Sequence, residues 1–106
     1  MAAVRRGLEQ EESSAEGLVI QGLALLQLNR PGEAERSVRD VLYRYPNCAL
    51  AYLVLADAVG LRREYQAQLQ AMDAYLRLEP NGAIGDRVRR AREALLPILA
   101  KPHGEN

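Results

Sequence analysis

Apolar residues recur at the spacing of an amphipathic helix along most of the chain. The first stripe sets one small residue among three leucines, on a helix that we predict to begin at a capping box of Ser13 and Glu16. Its members are Leu18, Gly22, Leu25 and Leu28. A second stripe follows the break at residues 29–32 and ends before Pro46, so the pattern predicts two helices joined by a short turn. Its members are Ala34, Val38, Val41, Leu42 and Tyr45.

The same pattern recurs further along the chain. Pro46-Asn47 aligns with Pro80-Asn81, a shift of 34 positions, and apolar residues align with apolar residues between these two breaks. We therefore predict a second pair of helices over about residues 49–61 and 64–78.

A fifth helix is predicted after the second Pro-Asn break. It would run over about residues 84–96 and end at Pro97. The residues predicted to face inward are Ile84, Val88, Ala91 and Leu95. Four arginines are assigned to the opposite, solvated face of this helix, namely Arg87, Arg89, Arg90 and Arg92.

The period is accompanied by residue types that match a known family. These are the large–small pairs Leu18–Gly22 and Tyr52–Ala56, the small Ala34 at the helix crossing, and the unit-ending Pro46 and Pro80. Together they make the chain resemble the tetratricopeptide repeat (TPR) family, and its Arg-rich, Lys-poor composition suggests a small bacterial member. Two positions depart from the family pattern. Gln68 stands where the second unit would have a crossing Ala, and Gln21 replaces a usual Leu.

The resemblance implies an all-α fold of antiparallel helix-turn-helix repeats, which form a short right-handed superhelix with a C-terminal capping helix. The TPR-like domain would comprise residues 13–100, with repeat 1 over 15–48, repeat 2 over 49–82 and the capping helix over 83–96. Residues 1–12 would be a helical or disordered extension, and residues 101–106 a flexible tail.

The family binds peptides in a concave groove lined by the first helix of each repeat. Carried over by position, the groove residues here would be Glu16, Val19, Leu23, Leu26, Leu50, Leu53, Val54, Asp57, Arg87 and Ala91. Aliphatic residues stand where members that grip a carboxylate-ended tail carry polar ones, so no carboxylate clamp is expected. The resemblance implies a non-catalytic adaptor, assembly factor or chaperone-like module that binds an apolar helix or extended segment of a protein partner.

Two other functions fit the same pattern. The chain could be a self-associating scaffold, because two repeats are fewer than the three that usually make a stable stack. The arginines at positions 87–92 could instead form a basic patch for an acidic ligand or a nucleic acid. The formal net charge of zero, from 14 basic and 14 acidic residues, argues against nucleic acid as the partner.

The sequence shows no chemistry of catalysis or metal binding. Cys48 is the only cysteine and lies in a predicted turn, and the only histidine, His103, lies in the predicted tail. We therefore expect no enzyme activity, cofactor or metal. The sequence shows no signal peptide and no apolar stretch of membrane-spanning length, so the expected location is cytoplasmic.

Overall fold

A computed structural model of the chain describes the backbone of residues 2–100 and the side chains of residues 15–100. Within this range all regular structure is α-helical. The helices are α1 (Ala2–Gln27), α2 (Pro31–Arg44), α3 (Ala49–Leu61), α4 (Tyr65–Leu78) and α5 (Ala83–Ala100). The all-α class is thereby confirmed. The bounds of α3 and α4 lie within one residue of the predicted ranges 49–61 and 64–78, and α2 ends two residues before Pro46.

Each helix packs against the next one along the chain, and α1 also reaches α3. Apolar residues of all five helices form the core, with small and β-branched side chains at the crossings. The most deeply buried large side chains are Val19, Val38, Val41, Val54 and Val59. The predicted stripe of α2 is confirmed, because Ala34, Val38 and Val41 are buried while Leu42 and Tyr45 pack against the core.

The turns that end α1 and α3 have the same backbone geometry. Asn29 and Arg63, which lie 34 positions apart, both have φ 61°. In each turn the next residue's N–H donates to the carbonyl five positions earlier, with N···O distances of 2.8 and 2.9 Å. This hydrogen bond and a left-handed residue define the Schellman motif, which satisfies carbonyls at the helix end. The next helix begins two residues after Asn29 in the first turn and two residues after Arg63 in the second.

Two predicted helix limits are wrong. The first helix begins at Ala2, so its backbone passes through Ser13, and a mid-helix serine is not a cap. No proline interrupts residues 2–14, which explains the continuity. The last helix continues through Pro97 to Ala100. Pro97 removes the N–H bond of a single residue, and only three helical residues follow it, so the helix tolerates the loss at its C-terminal end.

The burial of three predicted core residues also differs. Leu28 is exposed because α1 ends at Gln27 and the chain turns there. Ile84 and Ala91 are exposed as well, while Gly85, Val88 and Leu95 are the buried residues of α5. The inward face of α5 is therefore rotated towards α4 relative to the prediction.

Glycines permit the close approach of helices at two crossings. A Cβ on Gly22 would lie 3.1 Å from the Cγ1 atoms of both Val38 and Val54, so the missing side chain lets α1 lie close to α2 and α3 without displacing these valines. A Cβ on Gly60 would lie 2.6 Å from Nε2 of Gln68. Gln68 therefore occupies the crossing of α3 and α4 because its neighbour on α3 is a glycine.

Candidate partner-binding cleft

A cleft of about 290 Å³ opens between α3 and α5, with α4 behind it. Apolar side chains from four helices line it. They are Leu23, Leu50, Tyr52, Leu53, Val54, Ala56, Met72, Tyr75, Ile84, Val88 and Ala91, with Asp57 and Arg87 as the charged members. A shallower hollow continues the cleft towards the α4–α5 turn, sharing Leu50, Leu53 and Ile84 and adding residues 81–83. The two together form a groove along the α3–α5 junction.

The cleft exists because α5 stands away from α3. The backbones of α1 and α3 come close, whereas that of α5 approaches only α4. Gly85 seats the first turn of α5 against the preceding turn, since a Cβ there would lie 3.2 Å from the Glu79 carbonyl oxygen. Farther along, the Nε of Arg92 donates to Asp73 Oδ1 of α4 over 2.6 Å. These contacts hold α5 to α4 and leave its other side facing the cleft.

The rim of the cleft exposes large aliphatic side chains. Leu50 is 46% exposed and Ile84 is 48% exposed, and both line the cleft from the first turns of α3 and α5. Leu23 of α1 is also exposed on this side. Val54 and Val88 are buried and form the base. An exposed aliphatic rim over a packed base is typical of a surface that buries a partner's apolar side chains.

Two opposite charges interrupt the apolar lining. Desolvation beside the apolar walls raises the pKa of the Asp57 carboxyl, although the charge of Arg87 acts in the opposite direction. Neither side chain forms an ion pair with another residue among those whose side chains are described. The cleft therefore offers one carboxylate and one guanidinium whose hydrogen-bonding capacity is open to a ligand.

Seven of the ten predicted groove residues line the cleft. They are Leu23, Leu50, Leu53, Val54, Asp57, Arg87 and Ala91. Three others lie elsewhere. Val19 is only 1% exposed and belongs to the core, Leu26 packs against the core beside Ala34, and Glu16 borders a separate hollow next to residues 44–48. Val19 is covered because α1 and α3 pack closely, so only the next turn of α1, at Leu23, reaches the opening.

Prediction by family position missed six lining residues, namely Tyr52, Ala56, Met72, Tyr75, Ile84 and Val88. A signal for Ile84 is present in the sequence, since it lies 34 positions after Leu50, and Leu50 was assigned to the groove. Met72 and Tyr75 come from a second helix of the pair, which the family pattern does not assign to the groove. They line the cleft because the gap between α3 and α5 reaches as far as α4.

The predicted basic patch does not form on a single face of α5. Arg92 and Arg89 turn towards α4 and the α4–α5 turn, where Arg92 pairs with Asp73 and Arg89 donates to the Pro80 carbonyl. Arg87 lines the cleft, and Arg90 is exposed on the outer side of the helix. Successive residues of a helix are about 100° apart, so four arginines within six positions point in different directions.

The remaining chemistry-bearing residues show no assembled site. Cys48 is the N-cap residue of α3 and is half-buried, as expected for a turn residue. His103 lies outside the described residues. In the described part of the chain, no three His, Cys, Asp or Glu side chains are grouped so that they could hold a metal ion. None of the described helices has both the length and the apolar character needed to cross a membrane.

Comparison with known proteins gives no family for the chain. No protein-family model matches it, and no curated protein matches it.

Proposed function

We propose that the chain is a non-catalytic, TPR-like interaction module that binds an apolar helix or extended segment of a protein partner in the cleft between α3 and α5. The single observation that carries this proposal is the exposed aliphatic rim of Leu23, Leu50 and Ile84 over a packed base. Isolated aliphatic residues on a surface need no explanation, but three that converge on one concave opening indicate a binding site.

The TPR-type arrangement is supported by backbone features that recur at the period of the sequence. Helices α2 and α4 begin and end 34 positions apart, and α5 begins 34 positions after α3. The Schellman turns after α1 and α3 have the same spacing. The backbone repeats between the two units although their side chains differ, and a repeated backbone is what the stacking of helical pairs requires.

The two charges of the cleft would orient the partner. A basic group of the partner beside Asp57 would stabilise the ionised carboxylate, and an acidic group beside Arg87 would pair with the guanidinium. Among the described residues, the lining of the cleft holds Arg87 but no Lys or Asn, so recognition of a free carboxyl end is not part of the proposal. A partner with two or three aliphatic side chains and flanking charges fits this lining best.

The test uses 12-residue peptides selected by display against the immobilised chain, followed by fluorescence anisotropy with the tightest one. We expect the selected peptides to be rich in aliphatic residues. Leu50→Glu and Ile84→Glu should each weaken binding at least about tenfold, because a carboxylate would be buried without a partner. The pair Leu23 and Leu53 is a poorer choice for mutation, since Leu53 also packs against the core.

The matched control is Leu61→Glu. Leu61 is 54% exposed, lies on α3 like Leu50, and is not part of the cleft lining. Its substitution should leave peptide binding unchanged, and circular dichroism should show equal helicity for all three variants. Equal affinity of the Leu50, Ile84 and Leu61 variants for the peptide would contradict the proposed function.

A further inference from the structure

Three charged side chains lie along the groove of the α3–α5 junction. Asp57 and Arg87 line the cleft itself. Glu79, which follows the end of α4, lines the shallower hollow that continues the cleft past Leu50 and Ile84. Among the residues whose side chains are described, none of these three has an ion-pair partner. Because all three are exposed, their charges are available to a molecule that enters the groove.

The order of the three charges follows from the direction of the helices. Short turns join α3 to α4 and α4 to α5, so α3 and α5 both run antiparallel to α4. Glu79 lies at the end of the groove that the first turns of α3 and α5 form. Arg87 lies about one turn into α5 from Ile84, and Asp57 lies about two turns, or about 10 Å, along α3 from Leu50. The groove therefore presents a negative, a positive and a negative charge in turn.

The aliphatic walls between the charges strengthen any ion pair that forms in this groove. Leu50 and Ile84 lie between Glu79 and Asp57. They exclude water from part of the groove, and a Coulomb interaction strengthens as the surrounding dielectric constant falls. Desolvation raises the pKa of the Asp57 carboxyl, and the charge of Arg87 offsets only part of this rise. The carboxylate therefore gains stability from a second cation, which a partner can supply.

We infer that the partner segment carries the complementary order of charges, with a basic residue at each end of its aliphatic stretch and an acidic residue between them. This inference rests on the proposed function, because it describes the occupant of the same cleft. The basic residues pair with Glu79 and Asp57, and the acidic residue pairs with Arg87. A shift of the segment by one helical turn would bring like charges together, so the order fixes the register of binding.

The same order argues against other classes of ligand. A uniformly acidic ligand, such as a nucleic acid, would meet two carboxylates and a single guanidinium. A uniformly basic segment would meet Arg87 in the middle of the groove, where like charges repel. An aliphatic segment without charges would cover the Asp57 carboxylate and leave it unpaired. A protein segment of alternating charge is the occupant that satisfies all three groups.

The test measures the tightest peptide from the display selection by fluorescence anisotropy. We expect this peptide to carry Lys or Arg on both sides of its aliphatic residues and Asp or Glu among them. Asp57→Asn and Glu79→Gln should each weaken its binding about three- to fivefold, and sodium chloride should reduce this difference. Asp40→Asn is the matched control, because Asp40 is exposed on α2 and does not line the groove. It should leave the affinity unchanged.

Double-mutant cycles between the chain and the peptide assign each contact to one end of the groove. Replacing the basic residue at one end of the peptide with Gln should abolish the effect of Asp57→Asn and leave that of Glu79→Gln, and the other end should show the reverse. Arg87→Glu should weaken binding, and a peptide whose acidic residue is replaced by Lys should recover it. Selected peptides with a basic residue at one end only or at neither, or carboxylates that couple to the same peptide residue, would overturn the inference.

The outcomes also separate this inference from the proposed function. Weaker binding of Leu50→Glu together with unchanged binding of Asp57→Asn and Glu79→Gln would retain the apolar cleft and overturn the charge order. Unchanged binding of both Leu50→Glu and Ile84→Glu would overturn the two together. Sedimentation equilibrium tests a second copy of the chain as the occupant. A mass above 11.8 kDa that the peptide returns to the monomer value would assign the cleft to a second copy and overturn the inference.

Discussion

The two helix pairs share one backbone plan, but they fill the space between their helices in opposite ways. In the first pair, Leu26 of α1 packs beside the small, fully buried Ala34 of α2. In the second pair, the positions 34 residues later hold Gly60 on α3 and Gln68 on α4, and here the side chain of α4 fills the gap. The large and the small residue have exchanged helices.

This difference shows that either helix of a pair can supply the side chain that fills the space between them. Close packing requires only that the summed side-chain volume suits the gap. Gln68 departs from the family pattern as a single residue, but it fits once Gly60 is considered with it. A repeat is therefore better judged by pairs of facing positions than by one position at a time.

The pairs also differ in how polar their flanks are. Glu35 of α2 accepts from Arg39 and from Arg62 at the end of α3, each over 2.7 Å, and so links the two pairs. The position 34 residues later is Leu69, which packs against the core. Ionic contact in the first unit is replaced by apolar contact in the second.

The largest effect is expected from Gly22→Leu in the first pair. Its side chain would enter space that Val38 and Val54 already occupy at 3.1 Å, so we expect a loss of about 3 kcal/mol or more in the free energy of unfolding. Urea denaturation measures the loss. Gly32→Leu is the control, because a Cβ there has no neighbour within 4 Å. Equal stability of the two variants would mean that α1 does not need a glycine at this crossing.

A smaller effect with a sharper signature is expected in the second pair. Gly60→Leu alone should cost about 2 kcal/mol, because the new side chain collides with Gln68. Adding Gln68→Ala recreates the arrangement of the first pair and should restore at least half of that loss. A double-mutant cycle in urea measures the coupling. Additive losses from the two substitutions would show that the facing residues do not exchange volume as described.

The smallest effect concerns the link at Glu35. Partial burial raises its pKa, but the hydrogen bonds and charges of Arg39 and Arg62 outweigh burial and hold the pKa below the ordinary 4.5. A carboxyl with a lowered pKa contributes stability above its unfolded pKa, and this contribution is lost as pH falls through the folded pKa. Glu35→Gln should therefore cost about 1 kcal/mol at pH 7 and almost nothing in strong acid.

Thermal unfolding of this variant across pH checks the effect of Glu35. Glu33→Gln is a suitable control, because its only described ion pair, with Arg30, is 3.9 Å long and exposed. A cost of Glu35→Gln that persists unchanged below pH 3 would assign the effect to shape and not to charge.

The sequence predicted the helices wherever a local signal ends them. Pro46 and Pro80 follow α2 and α4 closely, and the Asn29–Pro31 break separates α1 from α2. It failed at Ser13 and Pro97, where residues of the cap and breaker classes lie inside helices. A local signal acts through the free energy of a few backbone groups, and a continuous helix on either side can outweigh it.

The cleft was only partly predictable, because its shape depends on the separation of α5 from α3. Val19 and Leu53 hold equivalent positions, 34 residues apart. Val19 is buried because α1 packs closely against α3. Leu53 lines the cleft because the backbone of α5 does not approach α3. The spread of Arg87, Arg89 and Arg92 around α5 could have been read from the helical period alone. The placement of α5 depends on close contacts at single residues such as Gly85, where a side chain would collide with the preceding turn, and no hydrophobic stripe reveals such a contact.

Helix α5 is held by a single neighbouring helix, and this affects the order in which parts of the protein unfold. Its backbone approaches only α4, whereas α3 is held by α1, α2 and α4. In a linear series of helices, a member held by one neighbour opens at a lower free energy than the whole domain unfolds. Because Ile84 and Arg87 reside on α5, such fraying removes one wall of the cleft while α1 to α4 stay folded. A segment bound in the cleft would contact α5 only in its closed position, so binding would raise the free energy that this opening requires.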